Sequence, residues 1–261
     1  MSDLPKLDYT PKSGMHPLER PFAWSYSKLK NFETCPRRHL EVDILKNVRE
    51  EDSAQLKWGN HFHDKLAKAI GTDDNKNRNS QEQIAEAPLP MGMEQYQPFV
   101  DRVRGARDRG AKVYVERSLA ITKDFQPTTW FGLYAWFRAK VDVEIVTPDK
   151  KFAQASDWKT GNRLDDSPQL ALTAITLMVH QPTIQAVRAE YVWIKEFNGT
   201  NVAQCLDQKN FKREQIPEMW ANLAPRVALL EKAFVERHYP PKPGGLCRRY
   251  CPVTKCQHFG K

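Results

Sequence analysis

The chain has 261 residues, 40 of them lysine or arginine against 32 aspartate or glutamate, for a formal charge of +8, and 40% of them are hydrophobic. That length suits one large domain or two small ones, and the apolar fraction supports a sizeable core, which excludes a wholly disordered chain. No apolar run approaches the roughly 18 residues that a bilayer-spanning helix needs, and residues 1–12 lack the apolar stretch of a secretory signal, so the expectation is a cytoplasmic protein whose basic balance favours an anionic partner, nucleic acid first.

Residues 1–22 hold Pro5, Pro11, Pro17 and Pro21 and read as a flexible arm. A helix follows, capped by Ser25 or Ser27 and carrying Leu29 and Phe32, until the Cys35-Pro36 step interrupts it. A second helix is predicted over residues 53–70, with Leu56, Phe62, Leu66 and Ile70 on one side. Residues 72–90 are polar, with Asn75, Asn77 and Asn79 among charges, and read as a loop. Residues 91–111 return to helix with a basic flank of Arg102, Arg104, Arg107 and Arg109.

From residue 112 the helical period gives way to the alternation of strands, predicted over residues 112–121, 130–146 and 152–159, with turn signals at Pro127 and at Thr147-Pro148-Asp149. Ser167 as cap and Pro168 at the first helical position open a helix that runs to His180. Strands over residues 186–195 and 200–208 flank the Asn198-Gly199 turn, and a long helix over 213–236 leads into a tail rich in proline and glycine. The fold class is therefore α/β or α+β, a mostly antiparallel sheet with an inserted helix. The chain divides into an arm (1–22), an N-terminal helical region (23–111), a core (112–236) and a cysteine-bearing tail (237–261).

The chemistry concentrates in two strands. In Asp157-Trp158-Lys159 the alternation puts Asp157 and Lys159 on one face and Trp158 on the other. In the preceding strand Val141, Val143 and Ile145 form the buried side, and Asp142 and Glu144 the opposite one. A hairpin through residues 147–151 would bring Asp142 and Asp157 to a common face. Two carboxylates and an ammonium then suit a divalent cation with a lysine orienting water for attack on a phosphodiester, although a solvated strand face with an incidental ion pair explains the same three residues. Eight residues after Gly161 comes Gln169, which with Thr173, Thr176 and His180 makes a polar helix face opposite Leu170, Ala174, Leu177 and Met178.

These residues resemble a known family. The run from Gly132 to Asp142, the block Asp157-Trp158-Lys159-Thr160-Gly161 and the block Gln169-Leu170-Ala171-Leu172 are similar, in that order, to the G-x-(I/V)-D, D-x-K-T-G and Q-L-x-x-Y blocks of the PD-(D/E)XK nuclease superfamily, in its RecB-like branch. Upstream, Trp24-Ser25-Tyr26-Ser27-Lys28-Leu29 with Cys35-Pro36-Arg37-Arg38 resembles the opening of that branch, and Gly59-Asn60-His61-Phe62-His63 resembles its G-x-x-x-H helix. The resemblance implies a restriction-endonuclease-like core, a mixed sheet flanked by helices, with its N-terminal helical part stapled to the C-terminal tail. It implies Mg2+ or Mn2+ held by His63, Asp142, Asp157 and the Trp158 carbonyl. Lys159 would position the attacking water, and Gln169 would support Lys159 or that water. Glu116 matches an acid often seen in this branch. Two departures stand out: Thr173 replaces the usual tyrosine, and the interval from Gly132 to Asp142 is longer than the usual motif.

Five cysteines, an odd number, argue for metal binding, catalysis or burial over a disulfide framework. By spacing alone, Cys247, Cys251 and Cys256 with His258 suit Zn2+. The resemblance implies another partner, because iron-sulfur nucleases of this branch place one cysteine before the core and three after it, which here gives a [4Fe-4S] cluster on Cys35, Cys247, Cys251 and Cys256. Cys205 is left as a small buried hydrophobe. Around the cluster, Arg37, Arg38, Arg248, Arg249, Lys255 and Lys261 supply positive charge without neighbouring acids.

The resulting expectation is a metal-dependent DNA nuclease, an exonuclease on duplex ends or single strands, in recombination, repair or phage DNA metabolism in a prokaryotic or phage-infected cell. A recombination protein is a conceivable partner. The competing expectations are a structure-selective endonuclease and a non-catalytic DNA-binding adaptor on the same scaffold. No phosphate-loop motif is present, so the chain carries no motor of that kind.

Overall fold

In the computed structural model, which describes residues 8–49, 53–71, 87–164 and 167–261, six strands form one sheet. They are β1 (Lys112–Ile121), β2 (Pro127–Thr128), β3 (Phe137–Val146), β4 (Phe152–Lys159), β5 (Ala186–Trp193) and β6 (Leu206–Lys212), in the order β2-β1-β3-β4-β5-β6. Only β4 and β5 pair in parallel; every other neighbour is antiparallel. A parallel pair needs a crossover, and the helix inserted between these two strands, α5 (Ser167–His180), provides it. The sheet is thus mixed, with helices on both faces. Whether the Ser167 side chain caps α5 lies outside the described residues, as do residues 72–86 of the predicted loop over 72–90.

One face is covered by α3 (Ala54–Ile70) and α4 (Gln97–Asp108), which bury Phe62, Leu66, Ile70, Phe99 and Val103 against Val113, Val115, Val143, Trp158 and Val192. Each large side chain removed from water there contributes about 1.5–3 kcal/mol. The Ser53 hydroxyl accepts from the Leu56 amide and caps α3, as its sequence position predicted. Leu56 itself departs from the predicted buried stripe, being 49% exposed, because burial begins only at Gly59, one turn into the helix.

Three arginines of the basic flank of α4 turn inward. Arg102 makes a two-pronged contact (2.6 and 2.9 Å) with the buried Glu190 of β5. Arg104 donates to the Ala69 carbonyl, and Arg107 to the carbonyls of Ile70 and Gly71 at 3.0 Å each. The last carbonyls of a helix have no partners within it, and these two guanidinium groups satisfy those of α3.

On the opposite face α5 packs Leu170, Ala174, Leu177 and Met178 onto the sheet. Behind it lie α1 (Tyr26–Thr34), capped by Ser25, and α6 (Ile216–Glu236), which share a cluster with Leu172 of α5 and Phe137 of β3. The short α2 (Pro36–His39) continues α1 beyond the Cys35 break. Residues 8–22, expected as a free arm, lie against the loop before β3: Asp8 bridges Gly132, and the Thr129 hydroxyl donates to the Asp8 carboxylate at 2.6 Å. Two strand boundaries moved. Residues 130–136 form turns ahead of β3, and the expected strand over 200–208 begins at Leu206, after a 3-10 turn of Val202–Cys205. Cys205 sits buried in that turn, not in a strand. No helix among the described residues is long and apolar enough to cross a membrane.

Candidate active site

Three carboxylates fall in one row across adjacent strands. The β1–β3 ladder passes from Val115↔Val143 to Arg117↔Val141 and omits the pair between them, Glu116 opposite Asp142. The β3–β4 ladder ends at Val143↔Ser156, one step short of Asp142 opposite Asp157. Past that point β3 and β4 fork. In place of a ladder bond, the Trp158 amide donates to Asp142 Oδ2 at 2.9 Å.

The row owes its shape to Glu116, which has φ of 54°, a conformation uncommon for a residue with a side chain. The turn swaps the faces of the strand. Val113 and Val115 belong to the core under α3 and α4, whereas Leu119 belongs to the core under α5, and on β3 Val143 and Val141 divide in the same way. The predicted grouping of Val141, Val143 and Ile145 on one side is therefore corrected. So is Glu144: it does not face the site but lies fully buried against Arg117 (2.5 Å) and Gln181.

Helix α3 brings His63 to this row. Gly59 is one turn earlier on the same face, and a Cβ there would lie 2.9 Å from Thr160 Oγ1, so the missing side chain lets the helix approach the end of β4. His63 Nε2 is 2.9 Å from the Trp158 carbonyl, and its Nδ1 is 3.3 Å from Asp142 Oδ2 and 3.9 Å from Glu116 Oε1. Ligand atoms of His63, Glu116 and Asp142 all lie within 4.8 Å of one another, the only such histidine, cysteine or acid trio among the described residues. Glu116 Oε1 is buried and has no hydrogen-bond partner among them. Hard oxygens with one imidazole suit a divalent cation such as Mg2+ or Mn2+, and an orphaned carboxylate oxygen aimed at the other two donors is an atom such an ion would satisfy.

Each acid of the row has a cationic neighbour: Lys140 and, at 3.9 Å, His63 for Glu116, His63 for Asp142, and Lys159 for Asp157 at 2.9 Å. Asp157 is not part of the tight trio. It faces α5, where Gln169 donates to its Oδ2 at 2.6 Å. The same Gln169 accepts through Oε1 from Lys159 (3.2 Å) and from the Tyr191 hydroxyl (3.3 Å), and the Lys159 ammonium lies 4.9 Å from the centre of the Tyr191 ring. Burial and then the Asp142 charge push the Asp157 carboxyl up to about 6, against the opposing pull of Lys159 and His63. For His63 burial works downward, but the hydrogen bond to Asp142 and the charges of Asp142, Glu116 and Asp157 outweigh it and raise the imidazole above its usual range.

The structure thus gathers Asp142, Asp157, Lys159, Gln169, His63 and the Trp158 carbonyl, and it draws Glu116 into the closest set. Lys140 and Tyr191 were missed, since an isolated strand lysine and a strand tyrosine carry no signal without the pairing register. Thr173, in the tyrosine position, turns back to the Gln169 carbonyl at 3.1 Å. Gly132 stands apart from the site, packed so closely that a Cβ would meet Thr128 Oγ1 at 2.5 Å.

Elsewhere, Cys35 at the end of α1 and Cys247, Cys251 and Cys256 of the tail line a single small cavity, which His258 also borders. The Lys242 amide donates to Cys35 Sγ at 3.4 Å and its ammonium to the Glu33 carbonyl at 2.7 Å, tying the tail to α1. Of the surrounding cations, Arg37 is not without an acid, for it pairs with Glu41 at 2.7 Å.

The family model of the PD-(D/E)XK nuclease superfamily matches residues 23–256 of the chain. No curated protein matches it. Among solved structures, the crystal structure of an alkaline exonuclease from Laribacter hongkongensis is similar over 85% of this chain and 94% of that one, at 13% identity and a TM-score of 0.34, a likeness too low to establish a shared fold.

Proposed function

This chain belongs to the PD-(D/E)XK nuclease superfamily, and from that premise we propose that it is a metal-dependent DNA nuclease that hydrolyses phosphodiesters at DNA ends or in single strands. The observation that carries the reading is the row of Glu116, Asp142 and Asp157, with the buried Glu116 Oε1, which has no hydrogen bond among the described residues, facing His63 and Asp142.

In this reading His63, Glu116 and Asp142 would hold a divalent cation, with Asp157 and the Trp158 carbonyl as further donors. Such a cation supplies Lewis acidity to the phosphoryl oxygen and lowers the pKa of bound water. Lys159 directs its ammonium at the attacking water and the charge that develops on the phosphate. Gln169 holds Lys159 and Asp157 in fixed relation by bonding both, and Tyr191 fixes the amide of Gln169 in turn. Neutral Asp157 neither anchors Lys159 nor attracts a cation, so the reaction needs its ionised form.

The finer assignment is to the RecB-like branch with a [4Fe-4S] cluster on Cys35, Cys247, Cys251 and Cys256. It is supported by the convergence of these four residues on one cavity. The thiolates of Cys35 and the tail would hold the cluster and thereby close the chain's two ends on each other.

The test is cleavage of end-labelled single- and double-stranded DNA with Mg2+, with Mn2+ and with EDTA. Metal-dependent shortening from an end is expected. Loss of neither strand under any metal would overturn the nuclease reading, and internal cuts without end dependence would replace exonuclease by endonuclease.

A further inference from the structure

Two cavities meet at a wall built by Trp24, Lys28 and Arg138. One, of about 380 Å³, opens beside Gln169 and Lys140 and so borders the candidate catalytic groups; the other, of about 360 Å³, runs beneath the segment containing Tyr9 and Phe22. Lys28 and Arg138 line both.

The electrostatics of this wall are unbalanced. Lys28, half-buried on α1, has no hydrogen bond or ion pair for its ammonium among the described residues. Arg138 uses its Nε to donate to the Trp130 carbonyl at 2.7 Å and lays its guanidinium over the Trp130 ring at 5.9 Å, leaving its two terminal nitrogens without partners among those residues. Among the described residues the one acid lining these cavities, Asp43, is already engaged by Asn31 (3.0 Å) and His39 (2.8 Å). Burial pushes the Lys28 ammonium below its usual range, with the pull of Asp43 opposed by the charges of Arg138 and Lys46, and burial lowers Arg138 as well. Cations held together in a partly dry pocket destabilise each other, and an anion bound between them relieves both terms. The hydroxyls of Ser25 and Ser27, 3.0 Å apart in the same cavity, add donors that a phosphate oxygen can use. Trp130 adds a ring on which a base can stack.

We propose that Lys28 and Arg138 form a clamp for a phosphate of the bound DNA strand, seated next to the phosphodiester at the metal site. This rests on the nuclease reading and names where the strand continues beyond the cut. The phosphate is either an internal phosphodiester or the monoester of a strand end; the chemistry that recognises it is the same.

Binding of short single-stranded oligonucleotides by fluorescence anisotropy tests it, in a cleavage-silent Asp157→Asn background. Adding Lys28→Met is expected to weaken binding about tenfold, the scale of one charge-assisted hydrogen bond, and to reduce the slope of log K against log salt by about one. Lys28→Arg should retain most of the affinity. A neutral methylphosphonate walked along the strand should cost the parent protein a similar factor at one position and cost the Lys28→Met protein nothing further there. If that coupling appears at an internal position the ligand is a phosphodiester, and if it appears only on removing a terminal phosphate the ligand is a strand end; both support the clamp. Arg138→Gln provides the same reading should Lys28→Met fail to fold. Normal DNA binding with no coupling to any phosphate in either variant would overturn the clamp alone, whereas absence of DNA binding by the Asp157→Asn parent would count against the nuclease reading itself.

Discussion

His63 and Trp158, 95 residues apart in sequence, meet through a 2.9 Å hydrogen bond between the imidazole Nε2 and a main-chain carbonyl. A carbonyl only accepts, so Nε2 carries the hydrogen and Nδ1 is the atom presented to Asp142 and Glu116. A neutral imidazole would then point a lone pair at two carboxylates. The pocket needs a positive charge between them, which is either a proton on Nδ1 or a metal ion. His63→Ala removes that donor and should raise the Mg2+ concentration for half-maximal cleavage on the order of tenfold or more, with partial recovery in Mn2+. A metal titration of cleavage rate measures this, and an unchanged midpoint would make His63 a bystander.

Competition between protons and metal gives a pH dependence with a definite sign. Asp157 is raised to about 6 from 3.8, and His63 is also raised, so both bind protons more tightly folded than unfolded. Their contribution to stability without metal is fully present below the unfolded pKa values and is lost as pH rises through the folded ones, near 6 for Asp157. Metal acts oppositely, binding the deprotonated site. The thermal midpoint gained on adding Mg2+ should therefore be larger at pH 7.5 than at pH 5.5 by roughly the linkage expected of a folded-state ligand. Asp157→Asn should reduce that difference. Equal metal shifts at both pH values in the parent protein would contradict the assignment.

Much of this architecture is legible in the sequence, and the exceptions have physical reasons. The strands Lys112–Ile121 and Phe152–Lys159 and the helix Ser167–His180 fall where alternation and helix-start signals place them. β6 was misplaced because it is an edge strand of mostly polar residues, Leu206–Lys212, whose two sides differ little in polarity. The row of acids was half visible: Asp142 and Asp157 stand out beside a lysine, but Glu116 joins them only through its left-handed backbone, which no local pattern marks. The arginines of α4 were visible only as a basic flank, because sequence cannot show that a helix end and a buried Glu190 lie beneath them.

The Arg117–Glu144 pair holds the strand just beyond that backbone reversal, with both side chains buried. Arg117→Met leaves Glu144 in the core with Gln181 but no compensating charge and should cost about 3–5 kcal/mol, the scale for breaking a buried pair from one side. Burial already pushes the Glu144 carboxyl upward against the pull of Arg117, so without the arginine it takes up a proton more readily and the cost shrinks as pH falls. The double variant Arg117→Met, Glu144→Leu should recover part of the loss. Urea unfolding at two pH values checks all three statements; a pH-independent loss would mean that packing, not charge, dominates.

Lys159→Ala should abolish cleavage while leaving metal binding and DNA binding nearly intact, because Lys159 touches Asp157, Gln169 and Tyr191 but none of the closest metal-donor trio. Gln169→Ala should fall between, since Asp157 and Lys159 still contact each other at 2.9 Å without it. Single-turnover rates beside binding isotherms separate the two effects. Cleavage by Lys159→Ala at near the parent rate would remove the lysine from the chemistry.

The cysteines give a prediction that spans the chain. Cys35 ends α1, while Cys247, Cys251 and Cys256 belong to the tail, and the four border one cavity. Contacts of Lys242 with Cys35 and Glu33, and of Arg226 with Glu33 at 2.6 and 2.8 Å, already hold α1, α6 and the tail together. The metal group proposed above would add a link that closes a loop of nearly the whole sequence, where the entropy removed from the unfolded chain is largest. Protein purified without oxygen should be brown and contain about four irons per chain. Cys35→Ala and Cys251→Ala should lose iron and thermal stability to the same degree, since either opens the same link. Cys205→Ser should keep the iron, because Cys205 lies buried beside Phe197 and Val202 in a different core cluster. Colourless protein with one zinc would replace the cluster by a zinc site that His258 borders, and full metal retention in Cys35→Ala would show that the two ends of the chain are not joined through metal.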